Sequence, residues 1–261
     1  QYARWEPRAQ KQILRFAVNT LCPDALEDDP DCWEALYVSG SLLLEKYNQA
    51  QAIPEFDKAL AINQRATPVL EAKGAAAFQD SKLQEAEEFA DRALKVDANH
   101  IEALQLKADV KLSSGRVSEA RRILERAASV NPHEQRTLGR LAACFLFEDG
   151  PPAADEWEQL LAGLDAIDNV TVESPARFTR LAIDVARRNP RPGYFLTIVA
   201  DAMEQQRRFE AAEQLYRQAI AIMPELAQPR SALGMLYMHM AKTDEASRLP
   251  DHAFIADPFH V

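Results

Sequence analysis

Five histidines, three cysteines and a surplus of carboxylates are the side chains in this sequence able to donate protons or electron pairs. His100, His133, His239, His252 and His260 are scattered, and no HExxH motif sets two imidazoles one helical turn apart to hold zinc. His133 follows Pro132 and reads as a solvated turn residue. Cys22, Cys32 and Cys144 form no CxxC pair and read as free or buried thiols. Cys22 and Cys32 bracket an acidic segment, 23–31, read as a loop, and a bridge between them would require an exported protein. That acidic run lacks the spacing of a calcium loop. No glycine-rich phosphate loop is present, and carboxylate pairs imply acid–base chemistry only when set across a pocket. The expectation is a protein with no catalytic residue, no metal and no cofactor.

The elements that carry these side chains follow from composition. With 47% hydrophobic residues and only eight glycines, the chain can bury a large surface but lacks the turn formers that many short strands need. Helices are expected throughout. A net charge of −10 and a pI near 5.1 provide no positive field to gather phosphate backbones, so nucleic acid is a poor partner and a basic or neutral protein fits better. No run of 18 apolar residues exists to span a membrane, and residues 1–15 are too charged for the core of a signal peptide. The chain starts without Met and stops where another unit would begin, so it reads as part of something longer; the compartment is left open between cytoplasm and export.

A repeat organises the helices. A small residue, then a bulky or small residue four positions on, then Ala three further, occurs at Ala52/Phe56/Ala59, Ala86/Ala90/Ala93, Ala120/Leu124/Ala127, Ala212/Tyr216/Ala219 and Ala246/Pro250/Ala253. The steps from 52 to 86, 86 to 120 and 212 to 246 are each 34 residues. Twelve residues before each triplet lies another small residue: Gly40, Gly74, Ala108, Ala200 and Gly234. Two helices per unit, A and B, must therefore approach closely, at the short end of interaxial distances of roughly 8–10 Å. A large apolar residue near the start of helix A recurs as Leu36, Leu70, Leu104, Leu138 and Leu196, with Arg230 as the exception.

This spacing, the small positions and the closing prolines Pro132, Pro224 and Pro258 resemble the tetratricopeptide repeat family over about nine-tenths of the chain. The resemblance implies an all-α, right-handed α-solenoid of helical hairpins. It also implies that A helices line a concave surface and place ligand contacts at fixed positions. Those are Glu34, Tyr37, Ser41 and Glu45 in the first unit, Glu71, Ala75, Phe78 and Gln79 in the second, and Glu102, Gln105, Asp109 and Ser113 in the third. Farther on they are Arg136 and Phe147, then Tyr194, Thr197, Asp201 and Glu204, then Ser231, Met235, Met238 and His239. The Lys/Asn carboxylate clamp of one family subtype is missing, because Tyr37, Ser41, Ala72, Glu102 and Leu106 stand in its places.

The expected organisation is a cap of helix and acidic loop over 1–32, three units over 33–134, a divergent unit over 135–192 with a helical insertion near 150–173, and two units over 193–261. The first helix is placed at about 3–19, as an N-terminal cap or the second helix of a truncated unit, with Trp5, Ile13, Phe16 and Ala17 facing the first unit. In the divergent unit the B helix is placed at 174–189, with the rival assignment giving that role to the inserted helix around Trp157, Leu160, Leu161 and Leu164. Pro54 falls near the first turn of a B helix, where a missing N–H costs little, whereas Pro250 is expected to kink the last helix.

The expected function is that of a non-enzymatic scaffold holding a protein or peptide on the A-helix surface, where acidic residues and apolar islands suit a segment carrying Lys or Arg. Two alternatives stand beside it. One is a partner-recruiting region of a larger bacterial protein with a downstream zinc peptidase-like domain, since residues 253–261 resemble the end of the repeat arrays that precede such a domain. The other is self-association as a homodimer through exposed array ends.

Overall fold

The computed structural model describes residues 15–44, 48–163 and 175–240. Trp5, Ile13, Glu45, Leu164, the triplet Ala246/Pro250/Ala253, the expected kink at Pro250, Pro258 and the 253–261 stretch lie outside them. The described residues are helical and contain no strand. A π turn over Ala17–Leu21 leads into α1 (Cys22–Asp28), followed by α2 (Trp33–Leu44), α3 (Gln49–Ile62), α4 (Thr67–Gln79), α5 (Leu83–Val96) and α6 (Ile101–Ser113). Then come α7 (Val117–Val130), α8 (Gln135–Asp149), α9 (Ala154–Gly163), α10 (Arg177–Arg188), α11 (Gly193–Gln205), α12 (Phe209–Ile222) and α13 (Gln228–His239). The chain forms two compact units, Gln1–Gly115 and Arg116–Val261.

Within the first unit, α2 pairs with α3 and α4 with α5, and the A helices α2, α4 and α6 lie side by side. Close approach is set by the small residues. A Cβ added at Gly40 would stand 2.6 Å from Phe56 Cε1, and one at Gly74 would stand 2.5 Å from Leu106 Cδ2 and 3.1 Å from Phe89 Cβ. Every residue of the triplets at 52, 86, 120 and 212 is 0% exposed, so these positions form the inner face of the B helices. The large residues Leu36, Leu70, Leu104, Leu138 and Leu196 are buried as well.

Helix ends repeat with the same period. Asp29, Asn63, Asp97 and Asn131 each accept, through a side-chain oxygen, the N–H two residues on, at 2.9–3.1 Å. These turns close α1, α3, α5 and α7. The A-to-B turns place Ser81, Gly115 and Arg207 at φ of 59°, 71° and 59°. Lys82 N–H and Arg208 N–H then reach back to the carbonyls of Ala77 and Met203, the Schellman closure.

Three expectations need correction. Residues 23–28 are not part of a loop: α1 runs through Pro23 to Asp28, leaving only 29–31 as a turn, and Cys22 is buried on its inner face. Pro23 is tolerated because the π turn immediately before it absorbs the break in hydrogen-bond register. In the 34-residue frame Val18, Cys22 and Ala25 occupy the triplet positions, so 15–28 stands where a B helix would, and the helix reaches farther than 19. Pro54 lies inside α3, a turn deeper than expected; Ala50 and Pro54 are both exposed, so water can take up the carbonyl that proline leaves without a donor.

In the second unit α8 packs on α7, α10 and α11, and α11 pairs with α12. α10 presents Phe178, Ala182 and Val185 in the triplet register, all buried, and so takes the B-helix place beside α8. α9 is the additional helix; its Leu160 is buried and its Trp157 ring lies 5.9 Å from Phe178.

Candidate protein-binding surfaces

In the first unit the A helices bring Glu71 and Glu102 within electrostatic reach of each other. Glu71, on α4, is half-buried. Burial first, and repulsion from Glu102 second, raise its pKa from 4.5 to about 7. The lysines nearby are directed elsewhere. Lys73 binds Asp57, Lys107 binds Asp91 at 2.5 Å and Lys111 binds Glu87, each reaching from an A helix to the preceding B helix. Among the described residues no hydrogen bond or ion pair reaches Glu71.

The remaining first-unit positions differ in availability. Glu34 and Glu102 are exposed, while Tyr37, Ser41, Phe78 and Asp109 are half-buried. The Tyr37 ring packs 6.5 Å from Phe56. Gln105 is only 7% exposed and offers little surface.

In the second unit Asp201, Glu204 and His239 converge, and what joins them is Tyr216. Its hydroxyl lies 2.6 Å from Asp201 Oδ1 and 3.1 Å from Glu204 Oε2, and His239 Nδ1 is 3.1 Å from Glu204 Oε1. Burial raises the pKa of Asp201, opposed by its hydrogen bond with Tyr216; burial and the two carboxylates raise that of the phenol. Sequence reasoning used Tyr216 only as a packing residue; a tyrosine where other units carry Phe, Ala or Leu was the available signal. Tyr194 lies apart from this cluster, its ring 4.9 Å from the Arg136 guanidinium. Met238 is 68% exposed. Thr197 is fully buried and donates to the Gly193 carbonyl, so it cannot contact a ligand as the repeat position implied.

No group of three or more His, Cys, Asp or Glu able to hold a metal ion occurs among the described residues, and no helix among them is long and apolar enough to cross a membrane. Two family profiles, both described as tetratricopeptide repeat, match residues 24–68 and 77–144. No curated protein matches the chain. Among solved structures, the Cut9–Hcn1 hetero-tetramer of the APC/C is similar at a TM-score of 0.54 and 12% identity, over 94% of this chain and 43% of that one. YrrB, described as a TPR protein with an unusual peptide-binding site, matches at 0.46 and 16%, over 85% and 97%. Pseudomonas aeruginosa PilF matches at 0.49 and 17%, over 87% and 92%. With the buried triplets and the 34-residue hairpins, the profiles identify the class: an all-α stack of helical hairpins. The profile matches mark residues 24–68 and 77–144 as tetratricopeptide repeats, and such repeats support a protein-interaction scaffold.

Proposed function

We propose that the A-helix surface formed by α2, α4 and α6 binds an extended or helical protein segment carrying Lys or Arg, and that Glu71 and Glu102 together receive one of its cationic side chains. The observation that carries this reading is Glu71 itself. A half-buried carboxyl, facing a second carboxylate and reached by no cation among the described residues, is unfavourable for the fold; an incoming ammonium or guanidinium would relieve it. Glu34 and Asp109 extend the acidic surface, and Tyr37 and Phe78 supply apolar contact.

A fluorescein-labelled Lys/Leu peptide tests this by anisotropy. Because the cation selects ionised Glu71, affinity should rise as pH increases from 6 to 8, with proton release on binding. Glu71→Gln should weaken binding by about tenfold and flatten that pH dependence. Equal affinity in the native and Gln forms at both pH values would discard the reading.

Self-association through α13 is a second reading, favoured by the exposure of Met235 and Met238 on that helix. Sedimentation velocity over a concentration series, with Met238→Glu as the disrupting variant, distinguishes it.

A further inference from the structure

In the 34-residue frame, Lys107 and Lys111 of α6 correspond to Leu141 and Phe145 of α8. Lys107 and Lys111 are each held by a carboxylate of the preceding B helix, Asp91 and Glu87, and Lys73 is held in the same way by Asp57. At the two later positions the lysines are gone, and Leu141 and Phe145 instead help to line a cavity of about 850 Å³ shared with Leu181 and Ile183 of α10. Loss of two ion-pairing lysines thus creates an apolar floor where earlier hairpins carry charge.

The rim of this cavity is basic although the chain carries a net charge of −10. Arg177, Arg180, Arg187 and Arg188 line it, against the carboxylates of Glu125 and Asp184. Several of these charges are already used. Arg177 binds Asp149 and Glu148 and lies 4.6 Å from the Phe145 ring; Arg188 binds Asp184 at 2.9 Å; Glu125 is held by Arg121 at 2.6 Å. Arg180 is different. It is exposed, its hydrogen bond is a 3.4 Å contact to the Pro175 carbonyl, and no carboxylate reaches it among the described residues.

We propose that this cavity is a second docking site, separate from the A-helix surface, for an amphipathic protein segment that places apolar side chains on Leu141, Phe145 and Leu181 and an Asp or Glu against Arg180. Charge complementarity selects the occupant: an apolar floor inside an arginine rim disfavours a basic segment and rewards an acidic one. The scaffold would then hold partners of opposite charge at two places.

The test uses the whole chain and two fluorescein-labelled helical peptides, one Glu/Leu and one Lys/Leu, in anisotropy titrations. The Glu/Leu peptide should bind, and Arg180→Glu should weaken it by about tenfold. Leu141→Lys, which restores the residue type found at 73 and 107 and sets it opposite Glu125, should weaken binding to a similar degree. Glu71→Gln should leave Glu/Leu binding unchanged, which separates this site from the one proposed above. Failure of the native chain to bind the Glu/Leu peptide overturns the proposal, as does undiminished binding by Arg180→Glu, which decides the matter if Leu141→Lys does not fold. Should Arg180→Glu abolish a dimer seen by sedimentation and leave peptide binding intact, a second copy is the occupant and the proposal falls.

Discussion

Glu71 combines a stability cost with a proposed binding role, and the two can be separated by pH. Its pKa is about 7 in the fold and 4.5 without it, so between those values the folded state holds a proton that the unfolded chain has released. Stability therefore falls as pH rises through that window, and the penalty is complete above 7. Glu71→Gln should stabilise the fold by roughly 1–3 kcal/mol at pH 8 and by almost nothing near pH 4.5. Thermal melts at the two pH values check this. Arg207 offers a second residue-scale prediction. At φ 59° its backbone occupies the left-handed region, where Gly115 serves the equivalent turn without strain. Arg207→Gly should stabilise by roughly 0.5–1 kcal/mol, raising the melting temperature by about 1–3 °C. The acidic A-helix positions were legible in the sequence, but the state of Glu71 was not. It depends on a neighbour 31 residues away and on where nearby lysines point.

At the scale of elements, pairing is governed by how little room is left between A and B helices. Gly74→Leu must displace both Leu106 and Phe89, so a loss of about 1–3 kcal/mol is expected in chemical denaturation. An unchanged midpoint would mean that α4 and α5 are not held at this contact. The same tightness explains what could be read from the sequence. Where the inner face uses alanine, as at 52, 86, 120 and 212, the period shows plainly. Where it uses Val18, Cys22 and Ala25, or Phe178, Ala182 and Val185, the identical geometry is filled by different volumes and the alanine signature fades. In 15–28 the proline and clustered acids added a further misleading cue, since their loop character was outweighed by burial of Cys22 and by the π turn before Pro23.

For the molecule as a whole, the net charge of −10 sets how partners arrive. Association of the Lys/Leu peptide should be fast at low salt and slow by roughly tenfold or more at 0.5 M NaCl, with dissociation affected less. Stopped-flow anisotropy across a salt series reads both rates; an association rate independent of salt would mean that encounter is not electrostatically guided. The arginine-rimmed cavity runs against this overall field, which is why composition alone did not reveal it. It became visible only when Leu141 and Phe145 were seen in the places of Lys107 and Lys111.

The turns after the B helices carry a consequence for chemical ageing. Asp29 and Asp97 perform the same task as Asn63 and Asn131, since a carboxylate oxygen accepts the turn N–H as well as an amide oxygen does. Direct hydrolysis of the Asn63 side-chain amide to aspartate would thus keep the acceptor of that turn in place, whereas isoaspartate, which lengthens the backbone by a methylene, would not.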